Sequence, residues 1–235
     1  MIDVRLNYHR TFSVNKKGTD FFVGDIHGHY DLLIQTLKSI GFDNEKGDRL
    51  FSVGDIINRG PDSDKCIELL IQSWFFAVLG NHEDLLLSII NNPDPEIINT
   101  LRKIGGEWVG ELLHADPTRL NLLISIIYAR MFLAFTVKTP AGNIGVIHAN
   151  APSNWKSITQ RELSEDEQSN CLWNAERYFN KATLPVNHID AVVSGHINCN
   201  DIESHGNHVW IDTLKNSKKL TILSAEQVFE VVNNG

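Results

Sequence analysis

Three short segments put metal- and phosphate-binding side chains directly after apolar runs. They are Gly24-Asp25-Ile26-His27-Gly28, Gly54-Asp55-Ile56-Ile57-Asn58-Arg59-Gly60 and Gly80-Asn81-His82-Glu83. Two later apolar runs end on His148 and on Gly195-His196. Together Asp25, His27, Asp55, Asn81, His82, His148 and His196 offer carboxylate, amide and imidazole donors, a set suited to a pair of divalent ions such as Mn or Fe and not to a soft thiolate site. Two such ions roughly 3.5–4 Å apart activate a water and clamp the oxygens of an in-line displacement at phosphorus. Asp55 closes the central strand of the three, and one carboxylate can give an oxygen to each ion, so Asp55 is the expected bridge. Arg59 adds a planar fork able to grip two phosphoryl oxygens. His82, beside Asn81, can reach a leaving alkoxide with a proton, which is worth roughly 10²–10⁴ in rate.

One Gly-Asp after a strand is an ordinary turn, and one loop histidine is usually just solvated. The joint occurrence, with each segment closing a strand, is what carries information. The elements that must position these residues follow from periodicity. "DFFVGD", "RLFSVGD" and "WFFAVLGN" are short apolar runs, followed by helical patterns in "YDLLIQTLKSIG", "DKCIELLIQS" and "HEDLLLSII". This β-α-β-α-β-α order predicts a parallel sheet with right-handed crossovers, whose ligand sites lie beyond the strand C-termini. Residues 93–128 read as helical with a break at Gly105-Gly106. After them "RMFLAFTVKT", "NIGVIHA", "DAVVSGH", "HVWIDT" and "KLTILS" read as strands of a second sheet facing the same crevice. The expectation is an α/β, two-sheet sandwich core flanked by helices, one domain over residues 1–235.

Composition narrows the partners. The net charge is −8, and no Lys/Arg cluster exceeds Lys16-Lys17 or Lys218-Lys219, so a nucleic-acid partner is not expected. The three cysteines, Cys66, Cys171 and Cys199, imply no disulfide framework and suggest a reducing compartment. No leader-like h-region and no run of ~18 apolar residues is visible, so the expected location is cytoplasmic, away from membranes.

The motifs GDIHG, GDIINRG, GNHE, His148-Ala149 and Gly195-His196 resemble the PPP superfamily of metal-dependent serine/threonine phosphatases, most closely its small bacterial and phage branch, typified by the phage lambda enzyme. "IGFDN", "WNxER" at Trp173 to Arg177 and "IDT" at Ile211 to Thr213 extend the similarity over nearly the whole chain. The resemblance implies a calcineurin-like metallophosphoesterase fold and two divalent ions, Mn first, with Fe or Zn as alternatives. One ion would take Asp25, His27 and Asp55, the other Asp55, Asn81, His148 and His196. A metal-bound hydroxide would be the nucleophile and His82 the general acid. Arg59 and Asn81 would contact substrate.

Departures from the family pattern are informative. Asn58 stands where relatives carry an Asp that orients and charges the catalytic histidine; its amide oxygen is expected to accept from the imidazole, although Asn also suits a turn before Arg59-Gly60. Ala175 stands where the branch has a second phosphate-binding arginine, leaving Arg177 as a candidate substitute. Leu214-Lys215 replace the Gly-Ala that follows "IDT". The expected function is hydrolysis of phosphoserine/threonine, with phosphotyrosine as a further substrate, on a phosphoprotein or phosphopeptide. The alternatives are a dinucleoside polyphosphate hydrolase, against which Glu83 leans, and a metal-binding pseudophosphatase that acts as a binding module, suggested by Asn58 and Ala175. Trp108, Trp155 and Trp173 read as core or lid aromatics; His9, His29, His114, His188, His205 and His208 read as structural or solvated.

Overall fold

A computed structural model describes residues 7–234. The leaderless reading of the first residues concerns positions outside this range. The strands run β1 (Asn7–Phe12), β2 (Asp20–Val23), β3 (Arg49–Ser52), β4 (Phe75–Ala77), β5 (Phe132–Lys138), β6 (Asn143–Ile147), β7 (Ala191–Ser194), β8 (Glu203–His205), β9 (His208–Trp210) and β10 (Ile222–Ser224). The helices run α1 (Tyr30–Ser39), α2 (Ser63–Glu68), α3 (Asn81–Asn91), α4 (Pro95–Lys103), α5 (Glu107–Ala115), α6 (Pro117–Arg130), α7 (Lys156–Thr159), α8 (Glu165–Trp173), α9 (Glu176–Phe179), α10 (Leu214–Ser217) and α11 (Ala225–Asn234).

Two sheets form, with orders β10-β2-β3-β4 and β1-β5-β6-β7-β9-β8. As the apolar runs predict, β2, β3 and β4 are mutually parallel, in the register Phe22↔Phe51 and Phe51↔Phe76. Two expectations need correction. β10 does not join the second sheet; it pairs antiparallel with β2, because the Gly24 N–H donates to the Thr221 carbonyl and draws the returning chain to that edge. β1 was not anticipated as a strand, since its polar sequence NYHRTF hides the signal of an edge that buries little beyond Phe12. It lies parallel to β5, anchored where Asn7 Nδ2 donates to the Tyr128 and Met131 carbonyls.

Side-chain alternation along each strand divides the core into two layers. Phe22, Phe51, Phe135 and Val146 fill the space between the sheets, with Phe22 and Phe51 stacked at 5.6 Å between ring centroids. Leu50, Phe75 and Ala77 point the other way, toward Leu33 and Leu37 of α1, Ile67 of α2 and Leu86 of α3. The helical middle of the chain folds as α4, α5 and α6. Its predicted break is Gly105-Gly106, where Gly105 is left-handed (φ +87°) and its carbonyl accepts from the Arg59 N–H. A Cβ on Gly105 would meet the Arg59 backbone, so this glycine lets the α4–α5 elbow press against the loop that carries Arg59.

Candidate metal centre

The site is built where β2, β3, β4, β6 and β7 end. Three of its residues, His27 (φ +46°), Asp55 (φ +48°) and His196 (φ +66°), are in the left-handed region. This backbone is costly for non-glycine residues but less so for Asp and His, and it turns each side chain back over its strand end. Glycines at 80 and 195 leave room for the neighbouring carboxylates: a Cβ on Gly80 would collide with Asp55 Oδ1, and one on Gly195 with Asp25 Oδ1.

Backbone carbonyls set the imidazole tautomers. His27 Nδ1 donates to the Ile57 carbonyl (3.1 Å), His148 Nδ1 to the Val53 carbonyl (2.9 Å) and His196 Nε2 to the Trp173 carbonyl (3.2 Å). A carbonyl can only accept, so the other nitrogen of each ring presents a lone pair. His148 Nε2 and His196 Nδ1 both face Asn81 Oδ1, at 2.9 and 3.1 Å, and His148 Nε2 lies 3.5 Å from Asp55 Oδ1. On the other side of Asp55, His27 Nε2 is buried without a hydrogen-bond partner, 3.8 Å from both Asp25 Oδ2 and Asp55 Oδ2. Acceptors converging on acceptors with no proton between them fit a cation. Asp25, Asp55 and His148 form one group able to hold an ion, and His27, Asp55 and His82 another. Asp55 is common to both.

Burial is the leading influence on the shifted carboxyls and imidazoles here. It pushes Asp55 up to about 7, against the His82 N–H that donates to its Oδ1, and raises Asp25 well above the usual carboxylate range, with the charge of Asp212 adding to the rise. It lowers His148 and His196 to about 4 and His27 well below its ordinary value, so these rings are neutral donors at pH 7. Crowded carboxylates that resist ionising and imidazoles that resist protonation are what a divalent cation would relieve.

A model of the calcineurin-like phosphoesterase family matches residues 21–200. The chain belongs to that family. Serine/threonine-protein phosphatase 2 of Escherichia coli is 32% identical to this phosphoesterase over 197 residues, 81% of this chain and 85% of the relative. A symmetrical bis(5'-nucleosyl)-tetraphosphatase of Cellvibrio japonicus is 38% identical over 117 residues, 42% of this chain and 41% of that one. A solved serine/threonine phosphatase from Saccharomyces cerevisiae shares the fold at a TM-score of 0.58 and 15% identity, covering 87% of this chain and 70% of that one.

At Asn58 the phosphoesterase departs from the sequence-based expectation. The Trp108 indole N–H donates to Asn58 Oδ1 (2.8 Å), and an indole can only donate, so the amide oxygen is taken. The NH₂ of Asn58 therefore faces His82 Nδ1 at 2.9 Å, and the amide donates to the ring where it was expected to accept. The ring proton is left on Nε2, which lies 3.6 Å from Asp55 Oδ2 and 3.4 Å from Arg59 Nη2. Burial, followed by the Arg59 charge, lowers His82 to about 3. Sequence could not reveal this because Trp108 lies 50 residues away on α5. The left-handed backbone at Asn58 (φ +71°) and the N–H it donates to Ser63 Oγ agree with the turn reading, so Asn58 does both.

Arg177 is not brought to the cluster. Its guanidinium donates to the Leu184 carbonyl (2.6 Å) from α9, and it lines a separate cavity with Ser153, Lys181 and Thr183, because the turn of chain after Asn174 carries its side chain away from His196. Two residues with structural weight in the phosphoesterase site had no assigned role in the sequence reading. Glu83, at the third position of α3, accepts from the N–H groups of Asp55, Ile56, Ile57 and Gly80 and so clamps two ligand loops together. Asp212, after β9, is buried beside Asp25, and the two carboxyls influence each other. The Cys199 thiol donates to the Ile197 carbonyl (3.2 Å).

Proposed function

We propose that this phosphoesterase removes phosphate from phosphoserine and phosphothreonine of proteins, and that Asp25, His27, Asp55, Asn81, His148 and His196 hold two divalent cations, Mn being preferred over Fe or Zn. The observation that carries the proposal is the convergence of unprotonated ligand atoms on both sides of Asp55, beside Arg59 and His82. Cations bound there supply Lewis acidity and an acidified water for attack at phosphorus. Arg59, exposed next to the cluster, grips the phosphoryl oxygens with its fork, and Asn81 contributes a further polar contact. His82 directs its Nε2–H to the same side as Arg59, where the leaving oxygen departs. Because Asn58 donates to Nδ1, the neutral imidazole is favoured, and since only the protonated ring can give a proton to a poor leaving group, delivery falls to the minor imidazolium fraction and is attenuated.

The serine/threonine phosphatase relative that spans most of the chain supports a phosphoprotein substrate. Unpaired, buried cysteines accord with a cytoplasmic location, and no helix among the described residues is long and apolar enough to cross a membrane. Similarity to a bis(5'-nucleosyl)-tetraphosphatase over 117 residues favours a second reading, cleavage of dinucleoside polyphosphates. The test is one panel with added Mn: a phosphothreonine peptide, diadenosine tetraphosphate and p-nitrophenyl phosphate. Turnover of the peptide above the tetraphosphate supports the proposal, the reverse order supports the second reading, and no turnover of any substrate would indicate a pseudophosphatase.

A further inference from the structure

Next to the metal centre, on the Arg59 side, lies a cavity of about 300 Å³ lined by His27, His29, Leu32, Arg59, Leu214, Lys215 and Lys218. No carboxylate lines it, although the chain carries a net charge of −8. Among the described residues neither lysine forms an ion pair, nor does Arg59; Lys218 Nζ donates only to the Lys215 carbonyl (2.9 Å). Asp62, whose charge acts on His29, is already engaged by Lys65 at 2.7 Å. Unpaired like charges held around one concavity repel each other and attract an anion.

The cavity's position ties it to the reacting phosphate. His27 and Arg59 belong to both the cluster and the cavity wall. Lys215 is three residues beyond Asp212, whose carboxyl lies beside Asp25, and its charge acts on the Asp212 carboxyl. The left-handed backbone of Lys218 (φ +61°) ends α10 and turns the chain so that both lysines line the same cavity. His29, read from sequence as structural or solvated, forms part of its wall.

We propose that this cavity is an accessory anion site that receives a second acidic side chain of the substrate, a phosphoserine or glutamate adjacent to the residue being dephosphorylated. The proposal rests on the phosphopeptide reading above. Lys215 and Lys218 supply the charge, Leu32 and Leu214 pack the side-chain stem, and Arg59 stands between the two anions.

The experiment uses three synthetic peptides with the same phosphothreonine, flanked by neutral residues, by glutamates or by a second phosphoserine, together with p-nitrophenyl phosphate. The Mn-loaded enzyme is compared with Lys215→Gln/Lys218→Asn, in which Asn tolerates the left-handed position, and with the charge-keeping Lys215→Arg/Lys218→Arg. The native enzyme should show kcat/KM about tenfold higher for the doubly phosphorylated than for the neutral peptide, with the glutamate peptide between them. The neutralised variant should lose this ratio and the arginine variant should keep it. Raising salt should shrink the ratio. Calorimetric titration with non-hydrolysable phosphonate analogues of the same peptides should give the same order of affinity. Equal rates and affinities across the peptides, or a preference that survives neutralisation, overturn the accessory site while leaving the phosphopeptide reading intact. Three inert peptides alongside rapid cleavage of diadenosine tetraphosphate overturn both.

Discussion

Trp108 holds the Asn58 oxygen while Asn58 Nδ2 faces His82 Nδ1, so the charge at position 58 decides which nitrogen of His82 carries the proton. An aspartate there could accept from the indole with one oxygen and from an imidazole Nδ1–H with the other. Asn58→Asp should therefore favour the imidazolium and raise turnover about tenfold or more for alkyl phosphates, whose leaving groups need a proton, within the ~10²–10⁴ range of general acid catalysis. For p-nitrophenyl phosphate the gain should stay below about twofold, and equal gains on both substrates would remove His82 from leaving-group protonation. At Asp55 the expectation concerns stoichiometry. Because both candidate ion groups include Asp55, Asp55→Asn should bind fewer than two equivalents of Mn at both sites and lose several orders of magnitude in kcat, whereas Asp25→Asn should mainly weaken one ion. Metal analysis of purified variants decides it: two tightly held ions in Asp55→Asn would exclude a bridging role.

The start of α3 concentrates much of the site's geometry. The Glu83 carboxylate accepts from four N–H groups in two loops, and the His82 N–H donates to Asp55 Oδ1 (3.0 Å). Burial, with the neighbouring Asp55 charge, pushes Glu83 up to about 8, so this clamp is itself under electrostatic load. Glu83→Ala would leave buried donors unpaired at ~1–3 kcal/mol each. Even at the lower end, about 4 kcal/mol for the four donors, the fall in Tm should be roughly 8–16 °C for a chain of this size, accompanied by weaker Mn binding. An unchanged Tm would mean that water replaces the carboxylate at little cost. The elbow between α4 and α5 makes a parallel case: a Cβ on Gly105 meets the Arg59 backbone at its N and Cα, so Gly105→Ala should raise KM for phosphopeptides by displacing Arg59. Steady-state kinetics on that variant with native-like Tm would separate a local shift from unfolding.

For the molecule as a whole, the buried charges of the site couple folding to pH and metal. Asp55 at about 7 and Glu83 at about 8 bind protons in the folded state that the unfolded chain, with ordinary values of 3.8 and 4.5, has already lost. Stability of the metal-free protein should therefore fall as pH rises from about 6.5 to 8. Below 6.5 the lowered pKa values of His82, His148 and His196 act in the opposite sense, since the unfolded chain takes up protons there, so the two slopes meet near 6.5. Thermal denaturation in chelator should show a lower Tm at pH 8 than at pH 6.5, and Mn should reverse the difference; a flat profile between those values would contradict it. The strand-end spacing, the β-α-β order and the donor types were legible in the sequence, because apolar periodicity and Gly-Asp, Gly-Asn and Gly-His junctions are local signals. Local signals also revealed that Asn58 and Ala175 break the family pattern. What Asn58 does to His82 depends on an indole from α5, where Arg177 points depends on the turn into α9, and the partners of β1 and β10 depend on which sheet edge is free. Each is a contact between distant segments, decided by packing geometry that no run of neighbouring residues encodes.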